Sequence, residues 1–437
     1  MSTQRTLTAC VAGVFLVAGS AGAADWPQWR GPFFNGSTTE SDLPAKFSQT
    51  ENVAWTADLP GAGGSTPIVQ GDNVFISAGH PRTRALYALC LNRADGKLRW
   101  QREMGVGFSR RGNTGASPSP IADGDRVFFY YGTGTLAAFD LDGQPLWKRE
   151  VAKDHGAFEL MWGYGASALL YKGKLYVPVL HGDHRSRNPP ESYMLCIDPK
   201  TGKDVWKHVR RTDARGESRQ AYTTPIPLEG SKGASILLVG GDYLTAHDPA
   251  SGKETWRSED YNPRKNRWWR TVPSAVVVGG VIVNCPPTGE PGLPPKGGRM
   301  FAVRIGPSKQ LGPKKPAWIV TRNCPDVCTP LAYAGKLFVL DGGAKVMVCM
   351  DPDTGKVHWR GRLRGRGKFE ASPTGADGKV YCMNHDGQVV VLSAGDKFEV
   401  LHRAEMGGRG CRSTIAVAGG QLFIRTSEKL YCVGKKR

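Results

Sequence analysis

A turn motif that recurs together with a tryptophan constrains the fold of this chain more than any other feature. The motif has the form Asp-Pro-x-Thr/Ser-Gly-Lys, and its aspartate precedes the tryptophan by eight residues. Clear copies occupy residues 198–203, 248–253 and 351–356, weaker ones end at Trp100 and Trp147, and degenerate ones end at Trp318 and near Val400. Aspartate bonds its own downstream backbone, proline presets φ and glycine takes the left-handed conformation. Each copy therefore predicts a tight turn between two β-strands.

Two further strands are predicted upstream of each turn. Alternating apolar runs such as residues 174–179 and 336–340 follow glycine-containing turns, which is typical of hairpins. Before these runs a short segment opens with Ser or Thr next to Pro, as at residues 66–67, 119–120, 224–225, 329–330 and 372–373. Each repeat therefore holds four antiparallel strands.

The number of repeats predicts a closed ring. Repeats start near residues 63, 117, 167, 223, 271, 329, 372 and 413, and almost no helical periodicity lies between them. The last repeat stops after Val433 without a fourth strand, whereas residues 52–55 carry Trp55 without a preceding turn. We therefore predict an all-β, eight-bladed β-propeller of four-stranded antiparallel blades, whose ring is closed by an N-terminal strand. Closure removes the exposed sheet edges of an open array.

The N-terminal residues predict export. Arg5, the apolar stretch 7–18 and the small residues at 21–24 have the layout of a signal peptide with cleavage near Ala23 and Ala24. We expect a signal peptide over 1–24, a lead-in segment over 25–52 and the propeller over 53–434. No later stretch approaches the roughly 20 apolar residues of a membrane helix. The predicted product is a periplasmic or secreted monomer without a transmembrane segment.

The charge of the chain is strongly basic. The formal net charge is +19, and it falls to +18 without residues 1–24, in which Arg5 is the one charged residue. Lysine and arginine are spread along the sequence, so the charge could serve contact with anionic polymers or only solubility through self-repulsion. No nucleic-acid-binding module is recognisable, and we expect no nucleic acid partner.

The turn-and-tryptophan units resemble the PQQ-like, or quinoprotein-type, β-propeller repeat family, and the resemblance covers essentially residues 53–434. That family includes quinoprotein alcohol dehydrogenases and an outer-membrane assembly scaffold propeller. In it the tryptophans dock one blade onto the next. Residues 25–32, Asp-Trp-Pro-Gln-Trp-Arg-Gly-Pro, look like the lead-in of an exported bacterial non-dehydrogenase subgroup. The resemblance implies that Trp26 and Trp29 lie against the ring, and a role of these tryptophans in ligand binding is the alternative.

Two functions follow from this resemblance. Dehydrogenases of the family hold the quinone PQQ between a tryptophan and a disulfide of adjacent cysteines, beside a calcium ion. This sequence has no Cys-Cys pair, and Glu159, Asp326 and Glu370 are the carboxylates that clearly belong to the predicted channel-mouth connectors. We therefore expect a non-catalytic binding or scaffold protein without a cofactor. A PQQ-dependent oxidoreductase of alcohols or sugars is the alternative.

The connectors that enter the inner strands should surround the channel mouth, and they are aromatic and basic. Such side chains suit a planar or anionic ligand through stacking and paired hydrogen bonds. The predicted ligand-binding residues are Trp162, Tyr164, Tyr222, Trp268, Trp269, Arg270, Arg366 and Arg412. The expected partner is an envelope protein, a glycan or a small anionic ligand. Alternatively, Trp162 and Trp268 only plug the channel.

Nine cysteines follow the predicted signal peptide. Cys90, Cys196, Cys349 and Cys432 occupy a repeat position at which other blades have Ala138, Ala246 and Ala302, so a small buried slot with packed free thiols is expected. The sequence leaves three alternatives open for the others: Cys324 and Cys328 could form a local disulfide, Cys285 could reach one of them, or they could bind a metal. We expect no metal site, and we interpret the histidines of residues 181–184 as solvated loop side chains.

Overall fold

Eight four-stranded antiparallel sheets make up the described part of the chain. The computed structural model describes residues 25–110, 113–182, 188–231, 233–268, 270–286, 298–306 and 311–436. The predicted signal peptide, residues 1–24, and Trp269 lie outside these ranges. In the described ranges no helix is long and apolar enough to cross a membrane.

The strands follow one another blade by blade. The first strand, β1 (Val53–Asp58), precedes blade 1. Blade 1 is β2–β5 (Ile68–Gln70, Asn73–Gly79, Ala85–Asn92, Leu98–Val106), blade 2 is β6–β9 (Ile121–Ala122, Arg126–Tyr130, Thr135–Asp140, Pro145–Glu150), blade 3 is β10–β13 (Leu169–Tyr171, Lys174–Val179, Tyr193–Ile197, Asp204–Val209) and blade 4 is β14–β17 (Ile226–Gly230, Gly233–Gly240, Tyr243–His247, Glu254–Arg257). Blade 5 is β18–β21 (Val276–Val278, Val281–Asn284, Met300–Arg304, Trp318–Val320), blade 6 is β22–β25 (Leu331–Tyr333, Lys336–Asp341, Val346–Met350, Val357–Arg362) and blade 7 is β26–β29 (Thr374–Ala376, Lys379–Met383, Gln388–Ser393, Val400–Glu405). The helix α1 (Val151–His155) and a 3₁₀-helix (Gly216–Arg219) lie in connectors.

Blade 8 joins both ends of the chain. Its strands β30–β32 are Ala416–Ala418, Gln421–Arg425 and Lys429–Gly434, and β1 adds the outer strand antiparallel to β32. Trp55 pairs with Cys432 and Ala57 with Leu430. The predicted closure of the ring by an N-terminal strand is thereby confirmed.

The outer-strand tryptophans connect neighbouring blades. The indole Nε1 of Trp147 donates to the carbonyl of Pro199 in the next blade's turn at 3.0 Å, and its ring lies on Gly202 of that turn. The same link joins Trp55, Trp100, Trp206, Trp256, Trp318 and Trp359 to the following blade. Gly202 has a φ of +69°, and a Cβ there would lie 2.7 Å from the Trp147 ring. Glycine is thus required by the turn and by the docked indole together.

The repeat position that holds cysteine or alanine lies on the third strand of its blade, directly opposite the tryptophan of the outer strand. Cys90 pairs with Trp100 across the sheet, and the same register joins Cys196, Cys349 and Cys432 to Trp206, Trp359 and Trp55. Alanines 138, 246 and 302 face Trp147, Trp256 and Trp318 in the same way. All four cysteines are buried thiols outside any disulfide, which confirms the prediction of packed thiols.

Blade 7 replaces the tryptophan with a histidine. His402 occupies its register position, opposite Val391, and a ring nitrogen lies 2.8 Å from the carbonyl oxygen of Phe47 in the lead-in segment. The rings of Phe47 and His402 meet edge to face at 5.8 Å. Here the lead-in segment takes the place that the next blade's turn occupies elsewhere.

The predicted local disulfide between Cys324 and Cys328 is not formed in the structure. Both side chains are buried free thiols, and they belong to different apolar clusters. The Cys324 Sγ lies 3.3 Å from the Val320 carbonyl, whereas the Cys328 Sγ lies 3.4 Å from that of Ala371. Cys285 shares the cluster of Cys324 and is also free.

Candidate functional site at the channel mouth

A belt of hydroxyl groups surrounds the channel where the inner strands begin. The backbone N–H of Thr66 donates to Ser119 Oγ at 2.9 Å, and that of Ser119 donates to Ser167 Oγ at 2.9 Å. The chain of bonds continues through Thr224, Ser274, Thr329 and Ser372. Five of these residues are the Ser/Thr-Pro openings recognised in the sequence, and the bonds link blades 1 to 7 in series near the axis.

The lead-in segment contacts the inner strands of several blades or the residues just before them. Trp26 forms a two-way backbone bridge with Val69 at 3.0 Å, and Pro27 accepts from the Ala122 N–H at 2.8 Å. The buried Arg30 donates to the carbonyls of Pro330 and Pro373 at 2.7 and 2.9 Å. Val69 and Ala122 lie in the inner strands of blades 1 and 2, whereas Pro330 and Pro373 directly precede those of blades 6 and 7. The segment therefore crosses the channel between these blades.

A cavity of about 340 Å³ lies between the lead-in segment and the connectors. Trp29 of the lead-in lines it together with the hydroxyl belt, and so forms its floor. Its size lies within the range of small-molecule binding sites. Of the predicted site residues, the cavity brings together Trp162, Tyr222, Arg270 and Arg412.

One ionic cluster holds the side chain of Trp162, which forms the aromatic wall of the cavity together with Tyr222. Trp162 Nε1 donates to Glu217 Oε1 at 3.1 Å, and the Arg270 guanidinium lies over the Trp162 ring at 5.5 Å. Arg270 also pairs with Asp326 at 3.2 Å. The Tyr222 hydroxyl donates to Gln220 and accepts from the Trp162 N–H. The indole is therefore held in place by groups from the connectors that enter blades 4 and 5.

A second ionic cluster is centred on Glu370. This carboxylate pairs with Lys368 at 2.5 Å, His385 at 2.7 Å and Arg412 at 2.7 Å. Burial alone would raise the pKa of Glu370, but the hydrogen bonds from His385, Lys368 and Arg412 outweigh it and hold that pKa well below its usual range. Glu370 is therefore an anion at neutral pH and acts as the anchor of three cation-forming side chains.

The cavity has two chemically different halves. The charged side chains that line it, Arg270, Asp326, Lys368, Glu370 and Arg412, come from the connectors entering blades 5–8. The lining residues from blades 1–4 are uncharged, and they include Gly64, Asn113, Gly165, Trp162 and Tyr222. A Cβ at Gly64 or Gly165 would meet only ordinary contacts at 3.6 Å or beyond. A ligand would therefore meet a flat aromatic wall on one side and alternating charges on the other.

Three predicted site residues do not line this cavity. Tyr164 is a core residue, because its hydroxyl donates to the Pro178 carbonyl and its ring packs edge to face on Tyr130 at 5.1 Å. Arg366 lies on the exposed surface, where its carbonyl accepts from Lys345 Nζ. Trp268 is 58% exposed, so it does not plug the channel. His181 is buried rather than solvated, with its Nε2 3.0 Å from the Glu191 carbonyl oxygen.

Sequence reasoning missed Trp29 as the floor, and also Asn113 and Glu217. Asn113 Nδ2 donates to the Trp162 carbonyl at 2.9 Å and so helps to fix the wall. Connectors differ in length from blade to blade, so the repeat gave no register from which to find these two. The Ser/Thr-Pro signal did mark the belt, but its position at the axis became visible only in the ring.

The carboxylates of this mouth do not fit a quinone–calcium centre. Asp326 is neutralised by Arg270 and Glu370 by three neighbouring groups, which leaves neither as an open ligand for a divalent ion. Within the described ranges no group of three or more His, Cys, Asp or Glu side chains is arranged to hold a metal. We therefore derive no redox step for this site.

Comparison with known proteins places the chain in a family. A family model described as outer membrane protein assembly factor BamB matches residues 37–185 and 317–436, more than half of the chain. The chain belongs to this family of PQQ-like β-propeller repeats. A structure of BamB from Moraxella catarrhalis superposes with a TM-score of 0.59 at 13% identity and covers 86% of this chain and 98% of that one.

Quinoprotein dehydrogenases share the propeller. The quinohemoprotein alcohol dehydrogenase ADH-IIG of Pseudomonas putida is 31% identical over 124 residues, which are 26% of this chain and 15% of that protein. The structure of quinohemoprotein alcohol dehydrogenase from Comamonas testosteroni has a TM-score of 0.65 at 14% identity, covering 98% of this chain and 83% of that one. At such identities the structural likenesses show the fold alone.

Proposed function

We propose that this PQQ-like propeller is an exported, non-catalytic binding protein whose ligand is a small planar anion held in the mouth cavity. The observation that carries the proposal is the two-sided cavity with a closed floor. A flat ligand stacks on the Trp162 and Tyr222 wall and directs its anionic group to the charged half. There the lining cations Arg270, Lys368 and Arg412 outnumber the lining carboxylates Asp326 and Glu370 by one.

Isothermal titration with a panel of probes tests the proposal. The probes are PQQ without calcium, a planar tricarboxylate; glucuronate, a sugar acid; and glucose, a neutral control. We expect binding that requires an anionic group. Arg412→Gln and Trp162→Ala should each weaken it about tenfold or more, because a charge-assisted hydrogen bond or a stacked ring is lost.

Trp268→Ala is the matched control, since this tryptophan lies outside the cavity lining. Its affinity should equal that of the unaltered protein. Equal affinity of all variants, or equal binding of glucose and glucuronate, would argue against the proposed site.

A partner protein in the envelope is the second candidate function, and family membership favours it. Trp268 is an exposed aromatic side chain on the connector that also carries Arg270, which suits an anchor at a protein interface. A pull-down from envelope extract with Trp268→Ala and Arg270→Ala tests this function. If both variants recover a partner in the same amount as the unaltered protein does, that partner does not bind at the surface of Trp268 and Arg270.

The oxidoreductase alternative has its own test. Addition of PQQ and calcium, followed by alcohols or sugars with a redox dye, should give no dye reduction if the protein only binds. Sustained dye reduction that depends on calcium would contradict the non-catalytic proposal.

A further inference from the structure

Arg425 breaks a pattern that the other seven blades keep. In each blade, the first residue of the inner strand pairs with a residue of the second strand. The second-strand residue two positions after that partner is buried in every blade. In blades 1–7 this position holds an uncharged residue: Ser77, Tyr130, Pro178, Val239, Cys285, Leu340 and Met383. In blade 8 it holds Arg425, which is 1% exposed.

The buried guanidinium of Arg425 has an unusual environment. Its Nη1 donates to Ser65 Oγ at 2.5 Å and to the Ser65 carbonyl at 3.2 Å, while Nε and Nη2 have no hydrogen-bond partner in the described part of the chain. The buried Arg30, by contrast, donates to the carbonyls of Asn35, Pro330 and Pro373. Burial lowers the pKa of Arg425 to about 9, and the groups that oppose this shift are Cys411 and Tyr131 rather than a carboxylate.

Other unpaired polar groups surround this guanidinium. The hydroxyls of Thr66, Ser77 and Tyr131 are buried without a hydrogen-bond partner in the described ranges. The Ser65 hydroxyl donates to the Ser77 carbonyl and accepts from the Ser77 N–H. The Tyr131 hydroxyl is close enough to Ser77 and Arg425 for both to influence its pKa. Arg425, Ser77 and Tyr131, from blades 8, 1 and 2, therefore bring unused donors to the surroundings of Ser65, and Thr66 follows Ser65 in the chain.

The backbone approaches the guanidinium closely at Gly63. Gly63 lies against Arg425, and a Cβ at Gly63 would stand 2.8 Å from Nη2. A side chain there would crowd the face of the guanidinium that lacks partners. A buried cation without a counter-ion is costly, whereas an anion that accepts from its N–H groups removes much of that cost.

We propose that a small monovalent anion of the chloride class binds between Arg425, Tyr131 and the hydroxyls of Thr66 and Ser77, at the junction where blade 8 meets blade 1. One negative charge balances the one guanidinium, and a spherical acceptor satisfies donors from several directions. The ion stabilises the ring at the place where the two ends of the chain meet. The site is separate from the proposed mouth ligand.

Thermal unfolding and anomalous diffraction test this site. We expect the unfolding temperature to be about 2 °C or more higher in sodium chloride than in sodium gluconate of equal ionic strength. Crystals grown in sodium bromide should show an anomalous peak within hydrogen-bonding distance of Arg425 Nε and Nη2. Equal unfolding temperatures together with no bromide peak would overturn the proposal.

Variants separate the site from general salt effects. Arg425→Met introduces the residue that blade 7 has at this position, and it should abolish the difference between chloride and gluconate. Tyr131→Phe keeps the ring, removes one donor and should reduce that difference even if Arg425→Met does not fold. Arg211→Met, at a side chain that is 82% exposed, should keep it. An undiminished chloride effect in Tyr131→Phe and Arg425→Met would contradict the assignment.

Discussion

At the scale of single residues, the glycine of each repeat turn illustrates how one position serves two purposes. Gly202 allows the left-handed turn and also leaves the surface on which the Trp147 indole lies. The turn requirement could be predicted from the motif. The contact with the tryptophan of the preceding blade could not, because it joins residues more than fifty positions apart and arises only when blades stand side by side.

Gly202→Ala should therefore destabilise the protein more than a left-handed glycine elsewhere. The φ of +69° costs about 1–2 kcal/mol for alanine, and the clash with Trp147 adds about 1–3 kcal/mol. Gly173→Ala is the matched control, since its φ is +68° and a Cβ there meets nothing within 4 Å. Chemical denaturation of both variants measures the difference, and equal losses would contradict the docking role.

His247 should make stability depend on pH. Its ring nitrogens lie 3.1 Å from the Gly252 carbonyl oxygen and 2.9 Å from Thr245 Oγ1, and burial, followed by the charge of Arg210, lowers its pKa to about 4. In the unfolded chain this histidine has a pKa near 6.5. The stabilisation that comes from its buried, neutral ring is therefore complete above pH 6.5 and is lost as the pH falls toward 4.

The loss should reach about 2–3 kcal/mol at pH 4. Unfolding free energies of the unaltered protein and His247→Gln, measured from pH 7 to pH 4, check it. The variant should show the smaller decrease over this range, and parallel pH profiles would contradict the assignment.

At the scale of structural elements, the lead-in segment is more than an extension of the chain. The sequence predicted that Trp26 and Trp29 lie against the ring, and the structure separates their roles: Trp26 is buried against blade 1, whereas Trp29 lines the cavity. The ring contacts of Arg30 could not be predicted, because its acceptors are carbonyls of Pro330 and Pro373, three hundred or more residues away. The strands themselves were predictable, since turn chemistry and alternation are local.

Arg30→Gln should loosen this segment. The change leaves the carbonyls of Asn35, Pro330 and Pro373 without their donor and should lower the free energy of unfolding by about 2–4 kcal/mol. Limited proteolysis should then cut faster within residues 25–52. Arg211→Gln, on the surface, should change the free energy of unfolding by no more than about 0.5 kcal/mol. Unchanged stability and cleavage in Arg30→Gln would show that the segment is held by other contacts.

At the scale of the whole molecule, eight repeats build a rigid ring, and the connectors on one face build the site. Trp162, Tyr222, Arg270 and Arg412 line one cavity as expected, because the position of a connector follows from the blade count. Tyr164 and Arg366 lie outside it, because position along the chain does not specify whether a connector side chain turns toward the axis, the core or the solvent. The repeat therefore predicts the scaffold in detail, and the direction of each mouth side chain depends on packing between blades.

Hydrogen–deuterium exchange with and without PQQ, the planar anion of the panel, tests the central claim most directly. The account predicts slower exchange in the mouth connectors around Trp162, Arg270, Glu370 and Arg412 and in the lead-in around Trp29, with the outer strands unchanged. Protection confined to the outer strands or to the turns of the opposite face, or no protection at saturating anion, would contradict a ligand site inside the mouth.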